Sequence, residues 1–154
     1  MGGQMIGKIG RTIISITAGT TMLPRLTALD PSGPGFYAPV VANEKAITSN
    51  DAAFVDVIHT DAYNLGTIYK CGHVDFFPNE GKGYQPGCTT EPFISSAISN
   101  ACSQFRSWRF YSESVLNSTA FPGVECNNWN DFAYTNTGCF RMAKGYMGFG
   151  AFKG

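Results

Sequence analysis

The side chains equipped for chemistry in this sequence are a carboxylate set where a strand must stop, two histidines and five cysteines. Asp30 closes the run Leu23 to Leu29, a short apolar and β-branched stretch of the kind that forms a buried strand. Pro31, Gly33, Pro34 and Gly35 follow it and forbid helix or strand from continuing. A carboxylate that ends a strand reaches the carboxyl edge of a sheet, where α/β folds place ligands and chemistry. On these residues alone, an aspartate that opens a turn is the simpler account. His59 ends a second apolar run, Phe54-Val55-Asp56-Val57-Ile58, and His73 opens the alternating stretch Gly72-His73-Val74-Asp75-Phe76-Phe77. The cysteines contain no CxxC pair, which argues against a zinc knuckle and for disulfides with one thiol left over.

The elements that must position these groups fit in one domain. A chain of 154 residues with 44% hydrophobic content has enough material for a core. Eleven basic and eleven acidic residues cancel without any run of like charge, so nucleic acid and anionic membrane surfaces are poor partners. No apolar run is long enough to span a bilayer, and Met1-Gly2-Gly3-Gln4 lacks the charged start and apolar middle of a signal peptide. Asn117-Ser118-Thr119 is an N-glycosylation sequon.

Taken in order, Gln4 to Ile16 reads as a helix buried on most sides that ends before Gly19. The strand ending at Leu29, a proline- and glycine-rich loop over 31–50 and the strand at 54–59 follow. Asp51 to Ala53 has room for one helical turn before that second strand. Helix, strand, long loop and strand in this order indicate parallel α/β construction. Gly72 to Phe77 alternates like a half-exposed strand, and Pro78-Asn79-Glu80-Gly81 turns the chain. Phe93, Ile94, Ala97 and Ile98 have the spacing of a short amphipathic helix between Cys88 and Cys102. If those cysteines pair, closing the loop contributes roughly 3 kcal/mol in the chain-entropy model. Phe105, Trp108, Tyr111, Val115 and Leu116, with Arg106, Arg109 and Glu113 interleaved, mark a second amphipathic helix over 103–117, whose aromatic side is expected in the core. The remainder reads as a loop-rich subdomain stapled by Cys126–Cys139.

The ordered segments LPRLTALDPSGPGF, DAAFVDVIHTDA, GHVDFFPNEG, the cysteines at 88 and 102, and CSQFRSWRFYSES resemble the secreted neutral lipase family of pancreatic lipase, phospholipase A1 and insect yolk-protein-like lipases. The match covers essentially the whole chain. The short loop between Cys88 and Cys102 looks more like the insect and phospholipase A1 branch. The resemblance implies an α/β-hydrolase fold in which serine, aspartate and histidine perform acyl transfer, the serine sitting in a G-x-S-x-G elbow. By that resemblance Asp30 is the triad acid, residues 88–102 are a short lid, the protein is extracellular, and its partner is a lipid or other apolar ligand, with no cofactor.

Two departures follow. The family's histidine stands just after the second lid cysteine, and here Cys102-Ser103 is followed by Gln104. Glutamine hydrogen-bonds but does not take a proton from serine near neutral pH. His59 and His73 fall in the family's structural IHTD and GHVDF segments and are expected to be scaffold histidines. The elbow is absent too: Met1-Gly2-Gly3-Gln4 resembles the family sequence one residue past the serine, so the chain reads as an incomplete α/β-hydrolase domain over 1–154, with strands, serine and signal peptide upstream. Cys71 is then unpaired, or paired outside this chain. Of the family's calcium loop only Asp51 is kept, so no metal is expected. The resemblance thus implies a carboxylic ester hydrolase of lipids that is inactive in this chain. The alternatives are a yolk-like storage or apolar-ligand-binding protein, or a truncated fragment whose unpaired strand edges prevent folding.

Overall fold

The computed structural model describes residues 2–37, 46–88, 96–135, 138–139 and 145–152. Helix α1 spans Gly2–Ile16, and Gly19 closes it with φ of 80° and an N–H bond of 2.8 Å to the Ile14 carbonyl. The buried face is not the isoleucine face. Gly3, Gln4, Gly7 and Gly10 are buried, whereas Met5, Ile9 and Ile16 are exposed. The expectation of a helix buried on most sides is corrected by close approach. A Cβ at Gly7 would lie 2.8 Å from both Ile47 Cβ and Asp51 Oδ2, and one at Gly10 would collide with the Asp51 carbonyl oxygen. Glycine lets the helix press directly on the segment before the second strand. Gln4 fills the remaining gap, its Nε2 donating to the Ser32 carbonyl (2.7 Å) and its Oε1 accepting from Ile47 N–H (2.8 Å).

Strands β1 (Arg25–Leu29), β2 (Phe54–Ile58) and β3 (Val74–Phe76) form a parallel sheet in that order. Because strand side chains alternate, the sheet separates two apolar clusters. Ala28, Val55 and Val57 meet Ile47, Ala52 and the α1 residue Ile6 on one face. Ile58 and Leu29 meet Phe110, Met147 and Phe121 on the other. That second face also carries a buried ion pair. Asp56, fully buried, accepts from Arg25 Nε (2.9 Å) and Nη2 (3.0 Å) and from Thr27 Oγ1 (2.9 Å). Arg25 also donates to the Gly148 and Phe149 carbonyls and so ties the carboxyl-terminal segment to the sheet.

Helix α2 runs Ser96–Leu116 as one element. Ala97 and Ile98 belong to it, because Ser99-Asn100-Ala101-Cys102 contains no breaker; Phe93 and Ile94 lie outside the described residues. Its buried stripe is Ser103, Ser107, Phe110 and Ser114, while Phe105, Trp108, Val115 and Leu116 are exposed, Leu116 to 90%. This reverses the expected orientation of the aromatic side, for the same reason as in α1: small residues permit contact. Ser114 Oγ donates to the Tyr111 carbonyl (2.6 Å) and accepts from Phe149 N–H (2.8 Å), and a side chain at Gly148 would collide with it. Beyond α2, β4 (Pro122–Gly123) and β5 (Gly145–Tyr146) pair antiparallel. Disulfides join Cys88 to Cys102 and Cys126 to Cys139.

The glycine face of α1 gives an expectation opposite to one based on hydrophobicity. Gly10→Ala lowers stability by about 3 kcal/mol through overpacking against backbone. The exposed Ile9→Ala stays within about 0.5 kcal/mol of wild type. Urea unfolding of the two variants tests this.

Candidate functional site

The paired register sets Leu29 beside Ile58, so β1 and β2 end together and deliver Asp30 and His59-Thr60-Asp61 to the same edge. Asp30 N–H continues the ladder to the Ile58 carbonyl at 2.8 Å. Its φ of 42° then turns the chain out of the strand, a conformation aspartate tolerates better than most residues. The carboxylate, 1% exposed, accepts at Oδ1 from the N–H groups of Thr60 (2.7 Å) and Asp61 (2.9 Å). Its other oxygen, Oδ2, is buried without a partner among the described residues. Gly66 lies against it, where a Cβ would come within 2.5 Å of Oδ1 and 2.7 Å of Oδ2.

Burial pushes the Asp30 carboxyl up to about 6, more than the Thr60 and Asp61 N–H bonds hold it down, and the neighbouring Asp61 adds to the rise. An acid held on one oxygen and orphaned on the other has the geometry of a group waiting for one further donor.

Gln104 comes from the other layer. Cys102, just before it, is held by Cys88, and Ser103 Oγ accepts from Gln85 N–H at 3.1 Å. Gln85 is itself locked, its Nε2 donating to the carbonyls of Pro78 and Lys82 and its Oε1 accepting from Asn79. The Gln104 backbone carbonyl accepts from Ser107 Oγ (2.7 Å) and meets Thr60 Oγ1 at a long 3.5 Å. Thr60 therefore touches both candidate positions, its N–H on Asp30 and its hydroxyl toward Gln104. Thr60 was not singled out from the sequence, although its place at the end of the strand beside Asp30 was the available signal. Residues 89–95 of the expected lid lie outside the described residues.

The 30–37 loop is zipped to the 61–67 loop by Gly33 N–H to the Leu65 carbonyl and Thr67 N–H to the Pro31 carbonyl, both 3.0 Å. Between them opens a cleft of about 320 Å³ lined by Gly33, Pro34, Tyr37, Tyr63, Gly66 and Tyr69 among others. Gly66 is thus shared by the cleft and the acid. Tyr63 holds a φ of 74°, a strained conformation for an aromatic residue.

The remaining candidates fall as follows. His59 is buried, bonded to the Thr67 carbonyl and to Asp75. His73 Nδ1 accepts from Val55 N–H at 3.0 Å. These bonds hold both rings in place. Asp51 is engaged by Arg11 and Thr48 N–H. Cys71 is a free thiol, and burial next to Asp75 pushes it up to about 12. Asn117 is exposed at the end of α2, its side-chain oxygen accepting from Thr119 N–H and hydroxyl.

Parallel strands, a buried carboxylate at their carboxyl ends and a disulfide-tethered helix facing it are features of the α/β-hydrolase class. A family model described as Lipase matches residues 2–153, and the chain belongs to the lipase family. It is 37% identical over 163 residues to pancreatic lipase-related protein 3 of Homo sapiens, covering 94% of this chain and 32% of that protein. It is 35% identical over 163 residues to pancreatic triacylglycerol lipase of Myocastor coypus, at 94% and 33%, and 36% identical over 159 residues to that of Sus scrofa, at 91% and 32%. The chain therefore spans about a third of the length of these relatives.

The raised Asp30 carboxyl has a defined effect on stability. An acid that binds its proton more tightly when folded loses stability as pH rises from the unfolded value of 3.8 through about 6. The loss amounts to about 3 kcal/mol at about 1.4 kcal/mol per unit. Asp30→Asn should remove this pH dependence, so that wild type falls relative to the variant between about pH 4 and 7. Urea midpoints across that range are the check.

Proposed function

We propose that this chain is the acid-and-lid part of a secreted lipase-family protein that binds a lipid or other apolar ligand without turning it over. The observation that carries the reading is Gln104 standing where the resemblance places the base, in a chain whose buried Asp30 keeps one oxygen without a partner among the described residues. The acid's geometry is kept, and the proton carrier is replaced by an amide that cannot serve as general base. In a comparable triad enzyme, loss of serine or histidine alone costs about 10⁶ in turnover.

The aromatic cleft between the 30–37 and 61–67 loops is the proposed ligand seat, since it combines apolar walls with a few polar groups. The incomplete domain is part of the same proposal. The outer edge of β1 carries no strand among the described residues, Met5, Ile9 and Ile16 of α1 are exposed, and the relatives are three times as long. Further strands of a longer parent would pair with that edge and cover those side chains. Extracellular location and glycosylation at Asn117 belong to the parent in the same way.

Binding of a fluorescent fatty-acid probe and hydrolysis of a short-chain nitrophenyl ester, measured on the full 154-residue chain, separate the readings. Saturable probe binding that Tyr63→Ala weakens by about fivefold or more, a hot-spot-sized loss of about 1 kcal/mol, with hydrolysis at the blank level, supports the binder. Hydrolysis above blank that Asp30→Asn abolishes would overturn it and restore the enzyme reading.

A further inference from the structure

Behind the cleft wall lies a group of side chains that the acid site does not use. His59, Cys71 and Asp75 each present one ligand atom, and these atoms lie within 4.8 Å of one another. The His59 ring has no freedom. Phe77 stacks on it at 4.1 Å, parallel to within 1°, and its Nδ1 meets the Thr67 carbonyl at 2.9 Å. A carbonyl only accepts, so Nδ1 carries the proton, which leaves Nε2 the ligating nitrogen of a neutral ring. Nε2 in turn lies 2.8 Å from Asp75 Oδ1. Two acceptors at that distance require a positive charge between them, either a proton or a metal ion.

The surroundings favour the ion. A proton would serve His59 and Asp75 but would give no part to the Cys71 sulfur, which converges on the same point. The Cys71 thiol forms no disulfide among the described residues, and the buried Tyr37 hydroxyl lies against Cys71 and Gln4. Asp75 is already fixed as a ligand would be, its carboxylate accepting from the N–H groups of Cys71 (3.0 Å) and Gly72 (3.1 Å). We propose that His59, Cys71 and Asp75 form a binding site for a divalent cation of the zinc class, with the fourth position open toward the Tyr37 hydroxyl or water. Sulfur, imidazole and carboxylate together are a zinc-type donor set. A thiolate and a carboxylate balance a dication, so the loaded site is neutral and suited to burial. Binding expels the Cys71 proton and whatever proton bridges His59 and Asp75. Thr67 and Tyr37 border both this cluster and the open cleft. The proposal stands apart from the functional reading above and survives its failure.

The test is a cobalt(II) titration of the full chain, purified with reductant and chelator that are then removed. The site predicts a single cobalt ion per chain, a thiolate-to-cobalt charge-transfer band in the near ultraviolet, four-coordinate visible bands, and displacement by zinc. Cys71→Ser should abolish the charge-transfer band and weaken zinc binding by about tenfold or more, the scale at which even outer-shell partners act. No band in the wild-type chain means that only a proton bridges the pair, and overturns the proposal. So does a band that persists in Cys71→Ser, or one unchanged by urea unfolding, which marks adventitious thiol binding. Mass spectrometry showing Cys71 in a disulfide overturns it as well.

Discussion

Asp56 sits fully buried in the central strand, and a charge in that position is tolerable only when it is paired and hydrogen-bonded. Arg25 and Thr27 on the neighbouring strand meet that requirement together, and they do so only in the observed register, because both must lie on the same face as Asp56. The pair therefore fixes more than itself. Slipping β1 by one residue would turn Arg25 to the α1 side and strand the carboxylate. It would also move Asp30 away from the N–H groups of Thr60 and Asp61. Arg25's grip on the Gly148 and Phe149 carbonyls then brings the carboxyl-terminal segment under α2, where Ser114 holds Phe149. One buried charge thus organises sheet register, helix docking and the placement of the candidate acid.

The two helices solve their packing problem alike. Each turns small or polar residues inward, glycines in α1 and serines in α2, and leaves much of its larger apolar surface outside. Close approach of backbones is incompatible with bulk at the contact, so burial here follows shape before hydrophobicity. The apolar faces left outside are of the sort that marks an interaction surface, in keeping with a chain one third the length of its relatives.

How far these features were legible in the sequence follows from the same physics. The three strands, the α1 boundary at Gly19 and the exit at Asp30 were readable because β-branched runs, glycine and proline act locally. Helix orientation was not, since an isoleucine stripe in α1 and an aromatic stripe in α2 both read as core faces by periodicity. What decided the matter was Asp51 and Ile47 approaching from some forty residues away. The fusion of the 97–98 turn with the 103–116 helix was legible in principle, because nothing between them ends a helix. At the site, Asp30 could be singled out from strand and turn chemistry, whereas Gln104 acquired meaning only through resemblance. Thr60 and Gly66 drew no notice because their roles lie in a backbone N–H and in the absence of a side chain.

On the proposed reading, the remaining question is why a site without its base would keep its acid so carefully placed. An aspartate that merely opened a turn would be served by solvent and would not need burial to 1% exposure. Asp30 instead satisfies two backbone donors from β2's end with one oxygen and keeps the other dry. That arrangement raises the free energy of the ionised form, a cost a purely structural residue would avoid. It is explicable if the second oxygen has a partner during function. Glutamine retains the ability to donate a hydrogen bond as imidazole does. It lacks the ability to accept a proton and pass it on. On the same reading, glutamine where the resemblance places histidine removes the chemistry while retaining a side chain that hydrogen-bonds. This is the physical sense in which a hydrolase framework can persist as a binding one.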